Sequence, residues 1–194
     1  TTGEKNVFVG YNAGLSGTDG SGVRNVGIGN QALLSLTDGQ RNVGVGFTAG
    51  QVITTGENNI AIGYAAANGF DTENHNLAIG TDALGGSVAG GEYNVAVGNF
   101  TLDALTSSDN NVAIGYNAGT DVSTGDNSVY VGYQAGLNAT TGSSNTFIGM
   151  EAAGLGVVTG GTNVGVGTQS LYDLTSGANN IAMGYRCLYN LTSG

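Results

Sequence analysis

Asn111-Val112-Ala113-Ile114-Gly115 is one copy of a pentad, Asn-Φ-x-Φ-Gly, in which Φ is aliphatic. Near-copies close at Gly10, Gly29, Gly46, Gly63, Gly80, Gly98, Gly115, Gly132, Gly149, Gly167 and Gly184. These glycines lie 19, 17, 17, 17, 18, 17, 17, 17, 18 and 17 residues apart. So constant a spacing is an internal period, the mark of a stacked-repeat architecture. One such unit cannot bury an apolar face alone, so the units must pack on each other. The expected fold is all-β: a parallel β-solenoid, or β-roll, of about eleven turns of 17–19 residues, forming a single array over residues 1–194.

Each repeat has three parts. In the pentad, Φ recurs two residues apart, which is the strand period. Val26/Ile28, Val43/Val45, Ile60/Ile62, Val95/Val97 and Val112/Ile114 are mostly β-branched, as suits a pleated surface. The Φ pair is read as the packed face. The residue between is small at Gly27, Gly44, Ala61, Ala78, Ala96, Ala113, Gly165 and Ala182, as though that face met another chain. Phe8, Tyr130 and Phe147 would then mark places where it is open. After the pentad, Leu33/Leu36, Leu102/Leu105, Leu171/Leu174 and Leu188/Leu191 are spaced i,i+3, which predicts one short helical turn at the corner. Gly14, Gly50, Gly119 and Gly136 predict tighter corners.

The third part is rich in Thr and Ser. A glycine stands three residues before the next Asn at Gly3, Gly22, Gly39, Gly56, Gly91, Gly125, Gly142, Gly160 and Gly177, predicting a turn with φ > 0. Glu73 and Ser108 are exceptions. Extra residues near Gly17–Gly22, Gly85–Gly91 and Gly154–Gly161 are expected to form loops on one side of the coil. The sequence runs from Thr1-Thr2-Gly3 to Thr192-Ser193-Gly194 in one phase. Without an atypical capping repeat, it is expected to be an uncapped segment of a longer fibre or filament.

Asn6, Asn25, Asn42, Asn59, Asn76, Asn94, Asn111, Asn145, Asn163 and Asn180 share one position, and only Ser128 departs. An amide both donates and accepts, so a stacked Asn column can bond along the axis. Each bond is worth about 1 kcal/mol net. The column is not a glycosylation signal, because Ser or Thr does not follow two residues on.

The pentad resembles the Asn-Ser-Val-Ala-Ile-Gly head repeat of trimeric autotransporter adhesins, nearest at Asn111–Gly115, Asn59–Gly63 and Asn127–Gly132. The whole repeat is also similar to Asn/Thr/Gly-rich arrays of phage tail fibres, at Gly115–Ala118, Gly132–Ala135 and Thr140–Gly142. The resemblance implies a left-handed parallel β-roll, assembled as a homotrimer, that displays or reaches a receptor.

Composition narrows the rest. Glycine is 37 of 194 residues and proline is absent. Collagen is excluded by the missing Gly-X-Y period and the lack of proline, and disorder is disfavoured by the regular aliphatics. Four basic and 14 acidic residues give a net charge of −10. That argues against nucleic acid and against an anionic membrane surface. No apolar run approaches the length of a membrane span. A surface of Thr, Ser, Asn and Gly suits an extracellular, cell-surface or virion protein. Cys187 occupies the slot of Ala13, Ala32 and their equivalents and reads as a small packing residue.

Chemical motifs are few. Gly27-x-Gly29-x-x-Ala32 and Gly44-x-Gly46-x-x-Ala49 match a dinucleotide fingerprint only as the repeat itself. His75 has no partner at metal-ligand spacing. No cofactor is expected; a chance calcium site between turns is left open at Asp109 or Asp126. Lys5, Arg24 and Arg41 stack on three consecutive turns, offset either by Glu4, Asp38, Glu57 and solvent or by an anionic glycan. Tyr11, Phe47, Tyr64, Tyr116, Tyr133 and Tyr185 follow the pentad glycine and form either an inter-chain or packing column or a sugar-stacking one.

The expected role is a non-enzymatic structural and adhesive fibre segment from a phage tail fibre or bacterial surface adhesin. Its expected partners are further copies of itself, a trimer first, and a surface glycan or receptor. A head-to-tail extracellular filament is the alternative. An ice-binding solenoid ranks lower, since Asp38, Asp71, Ala89 and Val158 interrupt the Thr array.

Overall fold

A computed structural model describes residues 4–16, 21–86 and 91–194. Thr1–Gly3, residues 17–20 and residues 87–90 lie outside it. These include Gly3, Ala89 and most of the first two insertions.

The pentads form eleven three-residue strands: β1 Val7–Val9, β2 Val26–Ile28, β3 Val43–Val45, β4 Ile60–Ile62, β5 Leu77–Ile79, β6 Val95–Val97, β7 Val112–Ile114, β8 Val129–Val131, β9 Thr146–Ile148, β10 Val164–Val166 and β11 Ile181–Met183. They pair in chain order as one parallel sheet, each pentad position on its equivalent; Val95, Ala96 and Val97 face Val112, Ala113 and Ile114. The fold is a parallel β-solenoid. At about 4.8 Å per strand the stack is roughly 50 Å long.

The pentad glycine is fixed by its backbone. Gly115 has φ +135°, and a Cβ there would lie 2.4 Å from the carbonyl oxygen of Gly132, one turn on. Both the conformation and the approach of the next turn exclude a side chain.

The interior is the reverse of the expectation. The strand centre points into the coil: Ala61, Ala78, Ala96 and Ala113 are fully buried. The Φ residues on either side point outward and are half-buried or exposed. Volume explains the inversion. A 17-residue coil is narrow, and its opposite wall already sends in two further side chains. These sit four and seven residues after the pentad glycine. The second turn supplies Gly27, Leu33 and Leu36; the fourth, Ala61, Ala67 and Phe70; the eighth, Tyr130, Gly136 and Ala139. A ring at the strand centre goes with a small residue four after the pentad glycine, and a leucine there goes with Gly or Ala at the strand centre. A Cβ on Gly136 would meet the Tyr130 ring at 2.3 Å, and one on Gly14 the Phe8 ring at 2.7 Å. Tyr130 and Phe147 are therefore core residues, not signs of an open face.

Two local expectations also fail. No helix forms among the described residues. The first three i,i+3 leucine pairs share the interior because the first leucine stands in the left-handed region, as at Leu33 (φ 49°) and Leu102 (φ 50°), while Leu188 of the last turn is exposed. Among the described residues the tail glycines, from Gly22 to Gly177, do not have positive φ. Gly39 is small because the Gly56 carbonyl would lie 2.6 Å from its Cβ. Left-handed conformation instead recurs just before each ladder Asn, from Lys5 (φ 64°) and Arg24 (φ 62°) to Asn179 (φ 61°).

Candidate functional site: the outward strand face and its edges

The Asn column lies inside the coil and ties each turn to the next. Asn25 Oδ1 accepts the backbone N–H of Asn42 at 2.8 Å, while its Nδ2 donates to the Gly39 carbonyl at 2.8 Å. The same pair of bonds recurs at Asn42, Asn59, Asn76 and Asn94. The amides thus bond chiefly to backbone, where the sequence suggests amide to amide. Direct amide contacts occur too, as from Asn163 Nδ2 to Asn145 Oδ1 at 3.1 Å. Ser128 keeps half of the pattern: its Oγ accepts the Asn145 N–H at 3.0 Å, but its hydroxyl donates to Asp126.

The outward face is a strip of aliphatic side chains running the length of the sheet. Ile28, Ile60, Ile62, Ile114 and Ile148 are each about two-fifths exposed. With the column that follows the pentad glycine, which also holds Asn30, Thr81, Asn99 and Thr168, the face measures roughly 50 by 13 Å, or about 600 Å². Its aliphatic rows alone span about half of that, within the range of a monomer's largest apolar patch.

The two edges of the strip differ. The trailing edge holds Tyr11, Phe47, Tyr64, Tyr116, Tyr133 and Tyr185, all exposed. Neighbouring rings stack: Phe47 on Tyr64 at 5.3 Å and 6°, Tyr116 on Tyr133 at 5.7 Å and 10°. Their faces are used along the axis, so edges point to solvent, which disfavours flat stacking of a sugar on these pairs. The leading edge is the left-handed column before each Asn. It carries Lys5, Arg24 and Arg41, then His75 stacked on Tyr93 at 4.9 Å. Arg41 pairs with Glu57, and its Nε donates to Asn58 at 2.6 Å. Asp38 instead accepts the N–H and hydroxyl of Ser21, which hold its carboxyl below the usual range.

The remaining candidates have structural partners. Asp109 Oδ1 accepts the Glu92 N–H and Asp126 Oδ1 the Asp109 N–H, both at 2.8 Å. No group of three or more metal-ligating side chains occurs among the described residues. Asp103 is pushed up by burial and by nearby Asp82. The N–H of Gly29, within the dinucleotide-like stretch, is taken by the Val9 carbonyl at 2.8 Å. Cys187 is half-buried against the core.

Of one further cluster the sequence reading named only Tyr185. Arg186 lies 5.2 Å over Tyr185 and 5.0 Å over Tyr189, which stacks on Tyr172 at 4.9 Å. A polar chain runs from Arg186 through Gln169 to Glu151 at 2.7 and 2.6 Å. Burial, then the charge of Glu151, raises the Tyr172 hydroxyl. The signal was a Tyr at matching positions of the last two repeats.

Comparison with protein-family models, with curated proteins and with solved structures gave no match.

Proposed function

We propose that this chain is a segment of a rigid extracellular fibre, of the kind that phage tail fibres and bacterial surface adhesins use to reach a receptor. Its role is mechanical and adhesive, not catalytic. The observation that carries this reading is the outward strip of mostly Val and Ile that runs along one face of the rod. Apolar surface of that extent is favourable to cover. With its flanking column the whole face, about 600 Å², approaches the ~800 Å² per partner of a stable protein interface.

The fitting partner is another copy of the chain. A strip whose side chains repeat at every strand, about 4.8 Å apart, is matched turn for turn by a rod of the same pitch. Three copies around a common axis would cover all three strips and multiply any receptor contact.

Light scattering on the purified chain, with negative-stain microscopy, tests this. Short rods of three times the chain mass are expected. Monomers at micromolar concentration would overturn self-association, and long threads would favour end-to-end joining.

A further inference from the structure

Arg41 and Arg186 use their guanidinium groups differently. Arg41 is fully engaged within the chain: Nη2 pairs with Glu57, Nη1 donates to Gln40 at 3.2 Å and Nε to Asn58 at 2.6 Å. The Arg186 side chain donates only through Nε, to Gln169 Oε1 at 2.7 Å. Among the described residues neither of its Nη groups has an acceptor and no carboxylate pairs with it. The side chain is exposed yet held in place. Its guanidinium carbon lies over the Tyr185 and Tyr189 rings, and Tyr189 is itself stacked on Tyr172. Gln169 Nε2 donates to Glu151 at 2.6 Å. An ionised carboxylate only accepts, so this bond turns the amide oxygen toward Arg186. Gln169 and Tyr172 belong to the tenth turn, so the guanidinium is anchored on the preceding coil.

We propose that Arg186 and Tyr185 form a binding site for a sugar acid, the two Nη groups gripping its carboxylate and the Tyr185 ring lying against its C–H face. A planar guanidinium edge matches a carboxylate with two parallel hydrogen bonds. Fixing that edge beforehand removes the cost of ordering it on binding. Tyr185 is 69% exposed and follows Thr168 in its column, so no ring of the tenth turn stacks on it. An aromatic ring with a hydroxyl suits a ligand that is apolar on its face and polar at its rim. The charge balance selects a single carboxylate. With a net charge of −10 and Glu151 behind Gln169, a multiply charged phosphate or sulfated chain is repelled. The site adds a chemical class of receptor to the fibre reading and does not depend on self-association.

Saturation-transfer NMR on the full chain tests the site, with methyl β-glucuronide as the probe. The signal is read on the sugar, so monomer and oligomer are tested alike. Saturable binding in the millimolar range is expected. Methyl β-glucoside, the same ring without charge, and acetate, the charge without a ring, should each bind about tenfold or more weakly. Arg186→Lys keeps the charge but not the planar edge, and should weaken the glucuronide about tenfold. Gln169→Ala leaves both contacting residues but frees the guanidinium, and should weaken it several-fold. Circular dichroism checks that each variant keeps its strand signal. No glucuronide binding, an unchanged affinity in Arg186→Lys, or acetate bound as tightly as the glucuronide would overturn the proposal. So would inorganic phosphate that displaces the sugar at equal concentration. The comparison of probes on the parent chain stands whatever the variants do.

Discussion

Asn94 Oδ1 accepts the backbone N–H of Asn111 at 3.0 Å, and its Nδ2 donates to the Ser108 carbonyl at 2.8 Å. Both backbone groups are buried in the joint between turns, where no solvent can replace the amide. Asn94→Ala should therefore cost about 2–4 kcal/mol, the penalty for two buried groups left without partners. Asn94→Ser should cost less, because Ser128 already accepts the equivalent N–H elsewhere in the column. Urea unfolding of the two variants checks the order.

Gly115→Ala should destabilise by ~3 kcal/mol or more, from strained φ together with overlap on the Gly132 carbonyl. Gly184→Ala supplies the control. It shares the strained backbone, φ +125°, but its Cβ would meet nothing within 4 Å. A smaller loss at Gly184 than at Gly115, in unfolding midpoints, separates stacking from conformation.

The interior slots trade volume, so substitutions there should be coupled. Tyr130→Ala should cost about 3–5 kcal/mol. Gly136→Leu should also destabilise, since even its Cβ would overlap the Tyr130 ring. Together they reproduce the Ala96 and Leu102 pairing of the sixth turn, so the double variant should be more stable than the sum of the single losses implies. Additive losses in a double-mutant cycle would contradict the slot description.

Burial pushes the Tyr130 hydroxyl up to about 12 from its ordinary value of 10.0. The unfolded chain ionises first, so the contribution of Tyr130 is fully present below pH ~10 and is lost as pH rises toward ~12. Tyr130→Phe removes this dependence. Alkaline denaturation should show a drop in stability over that window, on the order of 2–3 kcal/mol, larger in the parent than in Tyr130→Phe.

Charge on the outward strip should abolish self-association while sparing the coil. Val95→Glu, Val112→Glu and Val129→Glu together place carboxylates on β6, β7 and β8, all pointing outward. Light scattering should report monomers, and circular dichroism an unchanged strand signal. Oligomers of undiminished mass would show that the strip is not the interface.

The pentad and its spacing made the strands, their parallel order and the stacking direction legible before any coordinates. Which face lay inside was not legible from alternation alone, because a period of two separates faces without labelling them. Preferring the bulkier Val and Ile for the interior ignored how little room a single coil has. The correct label was written across repeats: Phe8 with Gly14, Tyr130 with Gly136, Gly27 with Leu33. The Leu33/Leu36 spacing misled for a similar reason. Three residues apart suggests a helix, yet a left-handed residue at Leu33 turns both side chains the same way. The strip and its edges were visible as columns, but their exposure required the fold.

Each strand pairs only with the one before and the one after, in identical register. The length of this protein is therefore a free variable. Excising one in-frame unit, such as residues 95–111, would bring Asn94 against Val112 in the phase of the original junction and shorten the rod by about 4.8 Å. Unequal recombination between copies could lengthen or trim the fibre in whole steps, leaving every surviving unit as it was.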